Sequence, residues 1–173
     1  MVELFENIKS MSAHKILSIR NIEEFLFMEA QLLDNRQFQN WLALFSKTGW
    51  YWVPISTEQD SPYDHVSIIY DDRKLLETRI RRLNNINIHA ENPPTRTSRI
   101  VGNVVLNSIE EDSGTYEVCS KLQLVEFRGE RQRIFAGQII HYLSAENNKI
   151  FIEGKRINLV NAEGLMEGIT IIF

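Results

Sequence analysis

The 173 residues, 43% hydrophobic and 24% charged, have ordinary globular proportions and can bury a sizeable core without covalent staples. A net charge of −4 argues against nucleic-acid partners and against adsorption to membranes by charge, and the single cysteine, Cys119, excludes an internal disulfide. No stretch approaches the roughly 20 apolar residues of a bilayer span. The first twenty residues, with Glu3, Glu6, Lys9 and Lys15, lack the apolar core of a signal peptide, so the expected location is the cytoplasm.

Residues 1–20 show no clean period and read as an arm or a short helix. Asn21 is predicted to cap a helix, with Glu24 as its capping-box partner and Ile22, Phe25, Leu26, Leu32 and Leu33 as the apolar stripe. Asp34-Asn35 breaks that helix, and a second is expected from Arg36 to Phe45, with Phe38, Trp41, Leu42 and Phe45 at helical spacing. Glu29 falls on the apolar face. A buried carboxylate must be paired or protonated, so Glu29 is either a structural acid or a group with a tuned pKa.

Trp50-Tyr51-Trp52-Val53-Pro54-Ile55 reads as a strand, either buried on both faces or at a sheet edge, and Pro54 favours the edge, where its missing N–H costs nothing. The three aromatics suit core packing with a subunit contact, or a ligand wall. Residues 56–70 are polar and irregular. Asp71 or Asp72 is expected to cap a third helix running to about Leu83, with Leu76, Ile80 and Leu83 inward and Glu77 paired with Arg81 outside. Asn92-Pro93-Pro94 then imposes an extended entry into the second half of the chain.

From Thr95 to Val160 the chain reads as an antiparallel meander. Its alternating sets are Ile100, Gly102, Val104 and Leu106; Tyr116, Val118, Ser120, Leu122 and Leu124; Ile134, Ala136, Gln138, Ile140 and Tyr142; and Ile150 with Ile152. Turns are expected at residues 110–114, 128–130 and 145–148. The apolar end, Gly168 to Phe173, should close the sheet or enter an interface. The expected organisation is one domain over residues 1–173: an arm at 1–20, a helical layer with one strand at 21–83, and the sheet at 95–173.

A Rieske cluster needs two cysteines and two histidines, and this chain has one cysteine. The histidines are His14, His65, His89 and His141. His89-Ala90-Glu91 with His141 formally matches a 2-His-1-carboxylate iron site, although such a triplet arises readily by chance. There is no Gly-x-Ser-x-Gly elbow and no Gly-rich phosphate loop. One enzymatic reading survives. Helices on a strongly curved sheet can enclose a pocket, and there Glu29, partnered by His141 or a tyrosine, would act as general base of a stand-alone isomerase or dehydratase, or line a small-ligand site.

Several strings in fixed order resemble the small (beta) subunit of the aromatic-ring-hydroxylating dioxygenases, the Rieske non-haem iron oxygenases. They are Glu24-Phe-Leu-Phe-Met-Glu-Ala-Gln-Leu-Leu-Asp34, Trp41-Leu-Ala-Leu, Tyr51-Trp-Val-Pro54, Tyr70-Asp-Asp-Arg73, Leu76-x-x-Arg79-x-x-Arg82-Leu83, and Ala90-Glu-Asn-Pro-Pro-Thr-Arg-Thr97 leading to Asn103-Val104. The closing Ile169-Thr-Ile-Ile-Phe173 resembles that family's terminal strand. His89 departs from a position where many members carry tryptophan, which favours packing over metal ligation there.

The resemblance implies an α+β fold: a cone-shaped roll of N-terminal helices on a strongly curved, mainly antiparallel sheet, as in ketosteroid isomerase and nuclear transport factor 2. It implies a hexamer of three large and three small subunits in which the small subunits also associate as a trimer. The Rieske [2Fe-2S] cluster and mononuclear Fe(II) would sit in the large subunit, with none in this chain. Electrons would come from NADH through a reductase, with or without a ferredoxin, to dihydroxylate an aromatic ring with dioxygen. No catalytic, cofactor or metal residue is expected here. Candidate interface residues are Trp50, Trp52, Asp71, Asp72, Arg73, Pro93, Pro94, Arg96, Arg99 and Phe173; for the polar ones an intramolecular cap or ion pair is the competing role.

Overall fold

The computed structural model of the chain describes residues 17–84, 94–110, 112–147, 149–164 and 168–173; His14, His89, Glu91 and Pro93 lie outside them. Helix α1 spans Ile19–Asp34, and Ile22, Phe25, Leu26 and Leu33 are its buried stripe, as periodicity predicts. Its cap is Ser18 rather than Asn21. The Ser18 hydroxyl accepts from the Asn21 N–H at 3.2 Å, while Asn21 Oδ1 accepts from the Ser18 N–H at 3.3 Å. Both residues are good caps; the reciprocal pair puts the first turn three residues earlier.

Helix α2 is short, Phe38–Leu42, and buries Phe38, Trp41 and Leu42. Phe45, expected to end it, instead begins strand β1, Phe45–Val53. Strand β1 is not an edge. It pairs antiparallel with β2, Ile69–Asp71, and parallel with β6, Lys149–Leu159, while Pro54 follows the last paired residue. Asp72 caps helix α3, Arg73–Leu83, accepting from the Leu75 N–H at 2.8 Å. On α3, Glu77 pairs with Arg73 at 3.1 Å rather than with Arg81.

The meander is present as β3 (Arg96–Glu110), β4 (Thr115–Arg128), β5 (Arg131–Glu146) and β6, and the six-stranded sheet runs β2-β1-β6-β5-β4-β3. Its hairpins turn where expected. Gly129, with φ of 60°, occupies the first place of the two-residue β4–β5 turn, a position that type II′ turns reserve for glycine. The chain is thus an α+β roll: α1 packs along β3 at one side of the sheet and also reaches β5 and β6 through Glu29, so the sheet bends around the helices.

The core lies between the helices and the concave face. On β4 the predicted set, Tyr116 to Leu124, is the buried one. On β5 the buried side chains are Phe135, Ile139, His141 and Leu143, so Ile134, Ala136, Gln138, Ile140 and Tyr142 share the convex face instead. On β3 the register shifts between Gly102 and Val105, where Asn103 has φ of 51°. That bulge puts Ile100, 67% exposed, on the opposite side from Val104 and Leu106. Residues 168–173 form no strand, yet Ile171, Ile172 and Phe173 are buried in the core.

Candidate functional site

One charged cluster occupies the centre of the concave face. Glu29 projects from α1 and is buried, the residue as a whole only 3% exposed. Oε1 accepts from Trp41 Nε1 of α2 at 2.9 Å and from Lys155 Nζ of β6 at 2.7 Å; Oε2 meets His141 Nε2 of β5 at 2.9 Å. Because an ionised carboxylate only accepts, Nε2 carries the imidazole proton and Nδ1 is the bare nitrogen. Nδ1 is buried with no hydrogen-bond partner among the described residues. Lys155 also donates to the main-chain oxygen of Phe173 at 2.9 Å, and the Phe173 N–H donates to Tyr51 Oη at 3.0 Å.

Burial by itself would raise the Glu29 pKa, but the Lys155 ammonium and the His141 ring overcome it and hold the carboxyl well below the usual range. Burial lowers both Lys155 and His141, with Glu29 opposing it in each case. The cluster is therefore Glu29 carboxylate, Lys155 ammonium and neutral His141. A carboxylate so strongly held ionised is a weak proton acceptor. The geometry makes a buried knot fastening α1 to two strands, with every Glu29 oxygen already paired.

The sequence singled out Glu29 and His141, and the structure brings them together. It did not single out Lys155. The signal was present: Ile157 and Leu159 are buried, and counting back by twos puts Lys155 on the same face. The register shift opposite Tyr142 and Leu143 breaks that count before Ile152, the last residue of the alternation visible in the sequence.

The candidate interface residues divide into two groups. Asp71 forms a two-point ion pair with Arg79 at 2.5 and 3.2 Å, and Asp72 is the α3 cap. Arg73 Nη1 donates to the carbonyls of Leu42 and Phe45 at 2.8 and 3.0 Å, fixing the end of α2 to α3. The Arg99 side chain is 3% exposed and joins Asp34 to the Ile172 carbonyl. Phe173 is fully buried against Phe135, so it has no surface to offer a neighbour. These five have roles inside the protomer.

Trp50, Pro94 and Arg96 keep exposed surface, and Trp52 is nearly covered. Trp52 Nε1 donates to Ser67 Oγ at 2.8 Å, and the Arg156 guanidinium lies 4.4 Å from its ring. Arg156 in turn donates to the Thr57 and Gln59 carbonyls, so the 54–68 loop is strapped over the outer side of β1. Buried Gln59, which sequence reasoning passed over, ties that loop together through Ile55, Ser61, His65 and Ser67.

Among the described residues no group of three or more His, Cys, Asp or Glu side chains comes together to hold a metal ion. His141, the one described member of the formal iron match, spends its protonated nitrogen on Glu29. Among the described residues no helix is long and apolar enough to cross a membrane.

The family profile described as the ring hydroxylating beta subunit matches residues 28–163. A benzene 1,2-dioxygenase subunit beta of Pseudomonas putida is 36% identical over 132 residues, 70% of each chain. A 2-halobenzoate 1,2-dioxygenase small subunit of Burkholderia cepacia is 29% identical over 149 residues, 83% of this chain and 89% of that one. Among solved structures, the beta subunit of benzoate 1,2-dioxygenase from Burkholderia mallei superposes with a TM-score of 0.74 at 26% identity, covering 91% of this chain and 99% of that one. A naphthalene 1,2-dioxygenase chain shares the fold, with a TM-score of 0.78 at 15% identity over 97% of this chain and 98% of that one. The sequence strings, the bent sheet and these matches agree, and the chain belongs to the beta subunits of the ring-hydroxylating dioxygenases.

Proposed function

We propose that this chain is the non-catalytic partner of a large, iron-bearing oxygenase subunit, and that its work is to hold large subunits in register. The observation that carries the proposal is the Glu29–Lys155–His141 knot: the one carboxylate that a general-base reading would use is buried, held ionised and fully paired inside the protomer. The convex face of the sheet complements it. Ile100, Val105, Val125 and Ile134 present apolar surface there, the composition expected where permanent subunit contacts form. The assembly is three large and three small subunits, the small ones also touching each other. The Rieske cluster and the mononuclear Fe(II) reside in the large chain and receive NADH-derived electrons through a reductase, with or without a ferredoxin. The substrate class is an aromatic ring, dihydroxylated with dioxygen in the cytoplasm.

Co-expression with a candidate large subunit tests this. The expected result is one complex whose mass gives equal numbers of the two chains and whose iron and cluster absorbance follow the large chain when the subunits are separated. Turnover of an aromatic substrate by this chain alone, or iron bound to the isolated chain at a stoichiometry near one, overturns it.

A further inference from the structure

Between β1 and β2, residues 54–68 form neither helix nor strand, yet the stretch is held in one shape from beneath. Gln59 is 4% exposed. Its Oε1 accepts from the Ile55 N–H at 3.1 Å, and its Nε2 reaches the Ser61 and His65 carbonyls at 3.1 and 3.0 Å and Ser67 Oγ at 3.2 Å. Arg156 Nη2 donates to the Thr57 and Gln59 carbonyls at 3.0 and 2.9 Å. Ordering a surface loop in this way costs conformational entropy that the sheet below does not need spent.

What the fixed loop presents is apolar and acidic. Tyr63 is 82% exposed and Val66 84%. Exposed as it is, the Tyr63 ring is not loose: it stands edge-on to Tyr70, with centroids 5.6 Å apart and the two hydroxyls hydrogen-bonded at 3.1 Å. Glu58, Asp60 and Asp64 are exposed beside it, and none of the three has an ion pair among the described residues. Residues 54–68 contain no lysine or arginine, and Arg156 at their base is committed to loop carbonyls.

We propose that loop 54–68 is a docking prong for the large oxygenase subunit, with Tyr63 and Val66 entering an apolar seat whose rim is basic. A loop already ordered loses little freedom on binding, and tyrosine is among the side chains that concentrate interface energy. The three unpaired carboxylates set the sign of the rim they meet. The loop is strapped over the outer side of β1, continuous with the convex face assigned above to subunit contact. A second copy of this chain fits less well, because each copy carries a net charge of −4 and an acidic prong would approach a like-charged body. The inference rests on the reading of this chain as the large subunit's partner, and adds which element engages and what chemistry receives it.

The test measures the dissociation constant of the full chain from the large subunit at low and at high sodium chloride. Tyr63→Ser with Val66→Ser should weaken association at least tenfold at both. Asp60→Asn with Asp64→Asn should weaken it about threefold or more at low salt and flatten its salt dependence, since exposed charges act through a field that salt screens. Arg20→Gln, an exposed change on α1, should leave the affinity unchanged. All these side chains are exposed, so the thermal midpoint of each variant should stay close to that of the unaltered chain. Should the paired serine variant fail to fold, Tyr63→Ser alone carries the same expectation.

Failure of the unaltered chain to bind the large subunit removes the subunit reading and the prong together. Binding by the unaltered chain that both loop variants keep within twofold removes the prong alone. Loss of self-association in the loop variants, with binding to the large subunit intact, assigns the loop to a second copy and overturns the proposal.

Discussion

Replacing Lys155 with methionine tests the central knot most directly. The ammonium and the Glu29 carboxylate are 2.7 Å apart, with side chains 1% and 4% exposed, so water screens neither. Methionine keeps most of the volume and removes the charge. Glu29 is left with Trp41 and a neutral His141, two hydrogen bonds without a counter-charge. Breaking a buried pair from one side costs about 3–5 kcal/mol, because the surviving charge is stranded. For a chain of this size each kcal/mol shifts the midpoint by roughly 2–4 °C, so a fall of roughly 6–20 °C is expected. The assay is thermal unfolding by circular dichroism at fixed protein concentration, at pH 7 and again at pH 5. The gap should narrow at pH 5. In the variant, burial raises the Glu29 pKa, so the folded state gains stability by taking up a proton; the wild type keeps its carboxylate depressed and gains nothing. A loss under about 1 kcal/mol at pH 7, or a gap that widens on acidification, refutes the reasoning.

Three further outcomes rest on named contacts. Burial lowers the His141 pKa below its ordinary 6.5, so as pH falls through that value the unfolded chain takes a proton that the folded chain refuses. His141→Gln keeps an N–H for Glu29 and should flatten the stability profile between about pH 7 and 5.5; identical slopes in the two proteins count against this. Gly137 lies against the Asn158 main chain so closely that an added Cβ would collide with its carbonyl, and Gly137→Ala should cost about 1–3 kcal/mol in denaturant unfolding. Ile100→Glu with Ile134→Glu, on the convex face, should leave protomer stability within about 0.5 kcal/mol of wild type while weakening co-purification with the large subunit; unchanged co-purification removes that face from the interface.

The parts legible in the sequence were those with an unambiguous period. The stripe of α1 and the buried face of β4 stand out because polar residues occupy the alternate positions. Strand β5 carries no such contrast: Ile134, Ile140 and Tyr142 on one side balance Phe135, Ile139 and Leu143 on the other, so its burial is decided by which neighbours it meets. Phe45 continues the helical spacing of Trp41, yet it is drawn into β1 by pairing with Ile152, a partner far along the chain. Strand β2 is three residues long, too short to announce itself. Glu29 was readable as a charge on an apolar face. Lys155 was hidden by a register shift, which breaks a count by twos without changing composition.

The sheet has one parallel seam, where β1 lies against β6, and that seam divides the folding problem in two. Strands β3 to β6 are consecutive hairpins that can zip from sequence neighbours, whereas Trp52 and Arg156 begin about a hundred residues apart and must find each other. Closing so long a loop costs entropy that only later contacts recover. The last event of folding is therefore expected to be the capture of β1 by a finished meander, leaving that seam the first to part when the protomer is pulled or heated.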